Sequence, residues 1–518
     1  MRALCTREVA VWALLALLLI WPAIYNRQGI FFFDTITYVR GADTGIVALL
    51  HHRSHWSLPS GAVVRAAPAS APAAAGKAPV KDTTVLIGRS WFYGALVYAG
   101  DLLGGFWLTL VVQAAAAVAA IALTLAALRL PRIYVLPVGI VLALLSSLPF
   151  YVSFLMPDVF TGIVIAGGAV LLTRELALER WQLVAWWLLL AAGALFHDTH
   201  LLILCTLFVA ALALRLLPGK RVNPSGMLVI FLAIMIGILG QIAFVLGVKR
   251  WYGVAPMNPP FLTARLIEDG TGVEYLRATC PGNGFQVCRY LDRLPMAADD
   301  FLWQTRPDAG VFASASPEAK RRLSAEQVRL AAAVFAFDPL GQVLASLRNA
   351  ALQLASSGLW EFEYPDEEKA TFDQKFPRDL LARLHASAAY QRRMPIATFE
   401  LILTASFYGS VCFIAAALLW PKTRAALGPA IVGASAWLLT GVLVNAVICG
   451  VLSGPHERYS ARVQWLLPLM AMLVLSGLLA ARAHRVSPRV GRSPEPAVQR
   501  CAPRPIDKRA VSSPRGRD

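Results

Sequence analysis

Long runs of apolar residues dominate the pattern along this chain and predict membrane-spanning helices. A bilayer core of about 30 Å requires about 20 apolar residues in helical conformation. Ten windows of roughly this length occur, at 8–25, 106–128, 133–153, 157–173, 181–196, 201–217, 226–248, 396–420, 425–448 and 463–481. The windows are apolar throughout and lack the alternation of barrel strands. We therefore predict an all-α polytopic membrane protein with about ten transmembrane helices.

The polar stretches between these windows divide the chain into four parts. Residues 1–248 form a seven-span membrane core with a long first outer loop, 26–105, which contains an Ala/Pro-rich linker at 62–80. Residues 249–395 are predicted to form a soluble, mainly helical extracytoplasmic domain, with a helical stretch from Pro317 to about Ser357 that Pro339 interrupts. Residues 396–482 add three spans, and the basic tail 483–518 is predicted to be disordered.

Charge gives the orientation of the predicted spans. If the N-terminus is cytoplasmic, the inner segments hold 21 of the 48 Lys and Arg residues but only six of the 31 acidic residues, so they carry nearly all of the net charge of +17. Short cytoplasmic loops are typically rich in Lys and Arg, which indicates that both termini are cytoplasmic. The excess lies in short turns and in the tail. Contact with anionic membrane lipids explains it better than nucleic-acid binding.

A signal peptide is the alternative reading of 8–25. The apolar run is long and no small-residue cleavage site follows it, which favours a retained span. The Ala-rich composition with Arg in excess of Lys fits a bacterial inner membrane. Cys280 and Cys288 lie close together in the predicted outer domain, and in an oxidising compartment we expect them to form a disulfide.

Residues with catalytic potential concentrate on the predicted outer face. Asp34 follows three phenylalanines in FFFDTITY, so shielding from water would suit it to accept a proton; a helix cap is the alternative. Asp158, in LMPDVF, occupies a short turn between two spans and has the same alternative. His197 and His200, in FHDTH, would bind a phosphate when protonated or a metal when neutral. The alternative is a purely structural role in the turn.

The segment GPHERYSARVQW places His456, Arg458, Tyr459 and Arg462 at the outer end of the last span. Arg458 and Arg462 are four residues apart and would share one face of a helix, which is a geometry that can bind phosphate. Interfacial snorkelling is the alternative. Arginines on the outer side run against the charge bias of the rest of the chain, so we favour phosphate binding.

Together, an acid directly after the first span, a long first outer loop, a second acid in the next outer turn and a soluble outer insertion resemble the GT-C superfamily of integral membrane glycosyltransferases. The likeness covers about residues 1–248. It implies a polyprenyl-phosphate sugar donor, Asp34 as catalytic base, and Asp158 as a residue that orients the acceptor or a metal. Many members carry paired acids in the first loop, whereas Thr35 follows Asp34 here. The identity of a metal, and the need for a divalent cation, therefore stay open.

The expected reaction is transfer of one sugar to a hydroxyl group of an envelope glycan, lipid or protein, with inversion. His197, His200, His456, Arg458, Tyr459 and Arg462 would bind the donor phosphate and stabilise its developing charge. Three other functions are open: a polymerase or ligase that moves whole glycans, a transporter or flippase of lipid-linked sugars, and a pure scaffold, which would tolerate neutralisation of Asp34. Transporters usually carry charges at mid-span, whereas the main polar residues within the spans here are Gln113, Gln241 and Asn445.

Overall fold

The computed structural model describes residues 2–51, 53–57, 85–86, 88–219 and 222–486. Within these ranges the chain is helical and contains no strand, only two isolated bridges between residue pairs. The predicted linker at 62–80 and nearly all of the predicted disordered tail lie outside the described residues.

The membrane-facing part before the insertion contains α1 (Arg2–Leu19), α2 (Trp21–Asn26), α3 (Phe33–Leu50), α4 (Trp91–Gly104), α5 (Trp107–Ala127), α6 (Val135–Leu145), α7 (Leu148–Ser153), α8 (Val159–Leu172), α9 (Arg180–Phe196), α10 (Asp198–Leu216) and α11 (Pro224–Tyr252). The insertion contains α12 (Phe261–Asp269), α13 (Thr271–Thr279), α14 (Ala298–Trp303), α15 (Pro317–Phe337), α16 (Pro339–Ala355), α17 (Asp366–Lys375) and α18 (Arg378–His385). The last part contains α19 (Ile396–Leu419), α20 (Pro421–Leu452), α21 (Glu457–Gln464) and α22 (Leu466–Val486), and short 3₁₀ helices lie at Arg132–Tyr134, Gln286–Arg293 and Trp360–Phe362.

Six helical segments of the described chain are long and apolar enough to cross a membrane: α5, α10, α11, α19, α20 and the continuous α21–α22 segment Glu457–Ala483. The chain is therefore a multi-pass membrane protein. The other four predicted spans lie on shorter apolar helices, at Glu8–Leu19, Arg132–Leu145, Val159–Leu172 and Arg180–Phe196. At a rise of 1.5 Å per residue, a helix of about 14 residues covers only about 21 Å. The count of ten spans is thus larger than the six that meet the length criterion.

Helix α8 explains why a short apolar helix suits the centre of this fold. Every residue of α8 is buried, and α5, α9, α10, α11 and α20 surround it. Gly162 permits one close approach, since a Cβ there would lie 2.5 Å from the indole nitrogen of Trp465. Because its neighbours are protein on all sides, α8 does not have to match the thickness of the lipid.

The region 249–395, predicted as one outer domain, consists of two parts with different packing. Its first part has a core of its own, which includes Ile267, Phe301 and Leu330. The predicted disulfide Cys280–Cys288 is present there, with 5.7 Å between the Cα atoms. The predicted interruption at Pro339 is also present, because α15 and α16 meet at 110°.

The second part, residues 359–396, packs into the main core together with the membrane helices. Two hydrogen bonds attach it: the Tyr364 hydroxyl accepts from the backbone N–H of Phe31 at 2.8 Å, and the Asn26 side chain accepts from the N–H of Ala389 at 2.8 Å. This segment therefore lies directly on the FFFDT sequence that contains Asp34.

Candidate functional site

Backbone pairing brings the two acidic motifs together. The N–H of Ile30 donates to the carbonyl of Ser153, and the N–H of Leu155 donates to the carbonyl of Ile30, both at 2.9 Å. The Thr35 hydroxyl adds a bond to the carbonyl of Leu155 at 3.1 Å. Asp34 and Asp158 each follow this pairing by a few residues, so the two acids are held on one side of the helix bundle.

Gln113, a polar residue within the apolar helix α5, supports this arrangement. Its Nε2 donates to the carbonyls of Val152 and Phe154 at 2.8 and 3.0 Å, and its Oε1 accepts from the hydroxyl of Tyr93. A buried amide with all of these partners satisfies backbone groups that would otherwise lose hydrogen bonds to water. Gln113 therefore holds the segment that leads directly into the LMPD turn.

Asp34 is buried in the first turn of α3 and forms an ion pair with Arg89. The distance between Oδ2 of Asp34 and Nη2 of Arg89 is 2.5 Å. Helix α3 begins at Phe33, and it is the Thr35 hydroxyl that accepts from the N–H of Phe32 at 3.0 Å. The structure thus gives Asp34 a charged partner in place of the helix-capping role considered from the sequence.

Asp158 is paired with both arginines of the last predicted outer motif. Its Oδ1 lies 3.2 Å from Nη1 of Arg462 and 3.7 Å from Nε of Arg458. Asp158 makes no side-chain hydrogen bond at the start of α8, so it is not a helix cap. Its carboxylate instead neutralises charge that α21 introduces into the interior.

The arginines are held by groups on α20 and by aromatic rings. Arg462 donates from Nη2 to Oδ1 of Asn445 at 3.1 Å, which explains the polar residue within that span. The guanidinium of Arg458 lies 4.4 Å from the ring centroid of Phe32, and that of Arg462 lies 5.0 Å from the ring of Tyr459. Stacking on an aromatic face stabilises a partly desolvated cation.

Two further acids enter the site from residues 359–376. Glu361 and Glu368 are only 2% and 8% exposed, and Oε2 of each has no hydrogen-bond partner within the described structure. Burial raises the pKa of Glu361 to about 8, against a lowering influence of Arg458. Burial likewise raises the pKa of Glu368 to about 7, with Arg458 and Asp34 as its charged neighbours.

The buried hydroxyl of Tyr38, on α3, interacts electrostatically with Arg89 and Asp34. We call this set of side chains the Arg458 cluster; it consists of Asp34, Tyr38, Arg89, Asp158, Glu361, Glu368, Arg458, Tyr459 and Arg462. Among the described residues, fourteen buried polar side-chain atoms have no hydrogen-bond partner, and seven of these belong to the cluster. They include Nε and Nη1 of Arg458, Nε of Arg462 and Nε of Arg89. Native proteins satisfy nearly all such atoms, so this concentration indicates a site that is completed by a ligand.

The predicted histidines have other environments. Both ring nitrogens of His200 are bonded within the fold, Nδ1 to the carbonyl of Gly193 at 2.9 Å and Nε2 to the hydroxyl of Thr161 at 2.8 Å. His197 accepts from the N–H of Thr199 through Nδ1, and burial lowers its pKa well below the usual range. His200 has no nitrogen left for a ligand, and His197 is neutral at physiological pH.

His456 is joined to the insertion through its backbone. Its N–H donates to Oε1 of Gln353 at 2.9 Å, and its carbonyl accepts from Nε2 of the same residue. The imidazole lies edge-on to Tyr459, with 5.3 Å between the ring centroids. His456 therefore borders the Arg458 cluster beside Tyr459.

Arg89, Glu361 and Glu368 were not identified as site residues from the sequence. Arg89 had a usable signal: it is an arginine directly before Ser90, which caps α4, in a loop predicted to lie on the outer side. The two glutamates had no such signal, because the sequence WEFEYPDEE is typical of a solvent-exposed acidic segment. Only the structure distinguishes buried Glu368 from exposed Glu367 beside it.

The cluster contains three guanidinium groups, those of Arg89, Arg458 and Arg462, beside its carboxylates. In the part of the chain that the structure describes, no three His, Cys, Asp or Glu residues converge as metal ligands. The carboxylates of Asp34 and Asp158 are each paired with arginine, and cationic neighbours oppose the binding of a second positive charge. Arginine-rich donor sets of this kind bind phosphate or carboxylate groups.

Comparison with protein-family models, with curated proteins and with solved structures found no match to this chain.

Proposed function

We propose that this protein is a membrane glycosyltransferase that moves one sugar from a polyprenyl-phosphate donor to an acceptor hydroxyl, with inversion. The observation that carries the proposal is the pair Arg458 and Arg462, two buried arginines of which Nε and Nη1 of Arg458 and Nε of Arg462 have no hydrogen-bond partner in the described structure. A lipid phosphate at the membrane boundary has the charge and the acceptor oxygens that these groups lack. Carboxylates in the same cluster supply a proton acceptor.

The arginines and the carboxylates of the cluster have different roles in the proposed reaction. The acceptor oxygen attacks the anomeric carbon, the bond from that carbon to the phosphate oxygen breaks, and polyprenyl phosphate leaves with the bonding electrons. Arg458 and Arg462 stabilise the charge that develops on the phosphate, a preorganised electrostatic effect that usually dominates such catalysis. Asp158 holds both guanidinium groups in place. Asp34 is the proton acceptor that the resemblance implies, and Glu361 and Glu368 are further buried carboxylates near it.

The proposal includes an orientation and a compartment. The site lies on the outer face of a bacterial inner membrane, both termini lie in the cytoplasm, and the short helices beside the six long ones complete a ten-span bundle. The donor, which is anchored by its polyprenyl chain, reaches the cluster from the lipid. Envelope glycans, lipids or proteins with a free hydroxyl are the proposed acceptors.

The test is mass spectrometry of envelope glycans from cells that lack the protein and are restored with the parent, Arg458→Gln or Arg348→Gln at matched expression. Arg348 is an exposed arginine on α16 and serves as the control. We expect the parent and Arg348→Gln to restore a mass increment of one sugar, and Arg458→Gln to lose it. Restoration of whole glycan units would favour a polymerase or ligase. If the parent alters no glycan, the transferase proposal is wrong.

A further inference from the structure

Helix α17 brings the carboxylate of Glu368, which has no ion pair in the described structure, close to the charges of Arg458 and Asp34. It packs against α3, the helix of Asp34. Tyr364 bonds to Phe31 before α17 begins, and after its end the ring of Phe376 packs edge-on against Phe31 at 4.9 Å. The side chain of Arg40 also donates to the carbonyl of Lys375. Both ends of α17 are thus attached to the segment that carries Asp34, and Glu368 lies in its first turn.

Asp34 and Glu368 differ in what protonation would cost. Asp34 forms a 2.5 Å ion pair with Arg89, so adding a proton to Asp34 would remove the charge partner of a partly buried arginine. Glu368 has no ion pair, and its Oε2 has no partner in the described structure. A proton on Glu368 therefore breaks no contact of the fold, and burial favours the neutral form.

We propose that Glu368 accepts the proton of the acceptor hydroxyl, and that Asp34 is a positioning residue that acts through its ion pair with Arg89. The inference rests on the proposed function. The oxygen of the acceptor forms a bond to the anomeric carbon, its proton moves to Glu368, and the electrons of the broken bond leave on polyprenyl phosphate. The acceptor then approaches from the side of residues 359–376, and the phosphate lies on the side of Asp158.

The charged surroundings of Glu368 suit this step. The groups that face it are Arg458 from α21, Asp34 from α3 and the hydroxyl of Tyr364, while Lys369 is paired with Asp366 at 3.6 Å. The net effect of burial and these charges is a pKa of about 7. A general base works best when its pKa is near the operating pH. Glu361 has a pKa of about 8, so it is mostly protonated at neutral pH and is less suited to accept a proton.

The test compares Glu368→Gln with Glu367→Gln, a matched change at the neighbouring exposed position. Full-length protein is added to membranes of a strain that lacks it, which supply donor and acceptor, and the rate of sugar transfer is measured against pH. For the parent and Glu367→Gln we expect a rate that rises through about pH 7. For Glu368→Gln we expect a kcat about 100-fold lower, without the rising limb and with little change in the KM for donor. Asp34→Asn should keep the rising limb at a reduced rate.

Two controls distinguish three explanations for a loss of activity: misfolding of the variant, a wrong proposed reaction, and a wrong assignment of Glu368 as the proton acceptor. Glu368→Asp keeps the carboxylate and should recover part of the rate. Infrared titration of the purified full chain should show a carboxyl group that titrates near pH 7, in addition to Glu361 near pH 8. The signal near pH 7 should disappear in Glu368→Gln and persist in Glu367→Gln. Glu368→Gln with the rate and pH profile of the parent would overturn the inference and leave the proposed function intact. If the parent transfers no sugar at any pH, the proposed function fails, whatever the infrared titration shows.

Discussion

Asp158 and Arg462 are 304 residues apart in sequence and form an ion pair of 3.2 Å in the interior. The pair joins α8, the central helix of the first part, to α21 in the last part. The charges are only 2% and 1% exposed, so each relies on the other for neutralisation. The same contact thus organises the proposed phosphate site and connects two parts of the fold.

Removing one charge of this pair should destabilise the protein strongly. Asp158→Asn leaves Arg462 and Arg458 buried without their carboxylate, and loss of one partner of a buried pair costs about 3–5 kcal/mol. We expect a clearly lower Tm of the detergent-purified protein. Asp366→Asn is the control, since Asp366 pairs with Arg392 at the surface, where such pairs contribute about 0–1 kcal/mol. Equal Tm values for both variants would mean that Asp158 is not neutralising a buried charge.

The Asp34–Arg89 pair predicts coupled effects in a double-mutant cycle. Arg89→Gln leaves Asp34 without its partner, and Asp34→Asn leaves Arg89 without its partner, so each change should lower the Tm. The double variant removes both charges and should be less destabilised than the sum of the two, by about 0.5–3 kcal/mol. Strict additivity in thermal unfolding would contradict the ion pair. Transfer activity should remain low in all three variants.

The unpaired N–H groups of Arg458 predict direct binding of polyprenyl phosphate. Arg458→Gln should weaken this binding by a factor of ten or more, because charge-assisted hydrogen bonds contribute about 1.5–3 kcal/mol each. Arg458→Lys keeps the charge but not the fork of N–H groups, and we expect an intermediate affinity. Native mass spectrometry or fluorescence titration with polyprenyl phosphate gives the affinities. Arg348→Gln should bind like the parent, and an unchanged Arg458→Gln would place the phosphate elsewhere.

The sequence contained enough information for the helical class of the fold and for part of the site. Apolar runs predicted the membrane helices because burial in lipid requires a continuous apolar surface. The same runs do not distinguish a helix in contact with lipid from α8, which is enclosed by other helices. Asp34, Asp158, Arg458 and Arg462 were identifiable as charges beside apolar segments, where a charge needs a specific reason.

The site residues that were not identified from the sequence depend on tertiary packing. Glu368 and Glu367 are adjacent and chemically identical, and only the docking of α17 on α3 buries the first of them. The role of Gln113 likewise depends on the segment before the LMPD turn, because its hydrogen bonds go to Val152 and Phe154, about 40 positions away. Local pattern carries no signal for such pairings. The separation of residues 359–396 from the rest of the insertion has the same origin.

Glu361 predicts a dependence of stability on pH. Because burial raises its pKa from 4.5 to about 8, the folded state binds a proton more tightly than the unfolded state. The contribution of Glu361 to the free energy of unfolding is therefore fully present below about pH 4.5 and is lost as the pH rises through about 8. In Glu361→Gln this loss is absent, so the Tm of the variant relative to the parent should increase from pH 5 to pH 9. Glu363→Gln, two residues away, should follow the parent, and parallel curves for all three proteins would contradict the burial of this acid.

The close packing of α11 against α8 at Gly226 leaves no room for a larger side chain. A Cβ at this position would lie 1.8 Å from the carbonyl oxygen of Leu171, a backbone atom that cannot rotate away. Gly226→Ala should therefore separate α11 from α8 and lower the Tm. Gly409, on α19, has no atom within 4 Å of such a Cβ, so Gly409→Ala should be neutral or stabilising by up to about 1 kcal/mol through helix propensity. Opposite signs for one chemical change in two helices test the packing of the bundle directly, because propensity alone would stabilise both.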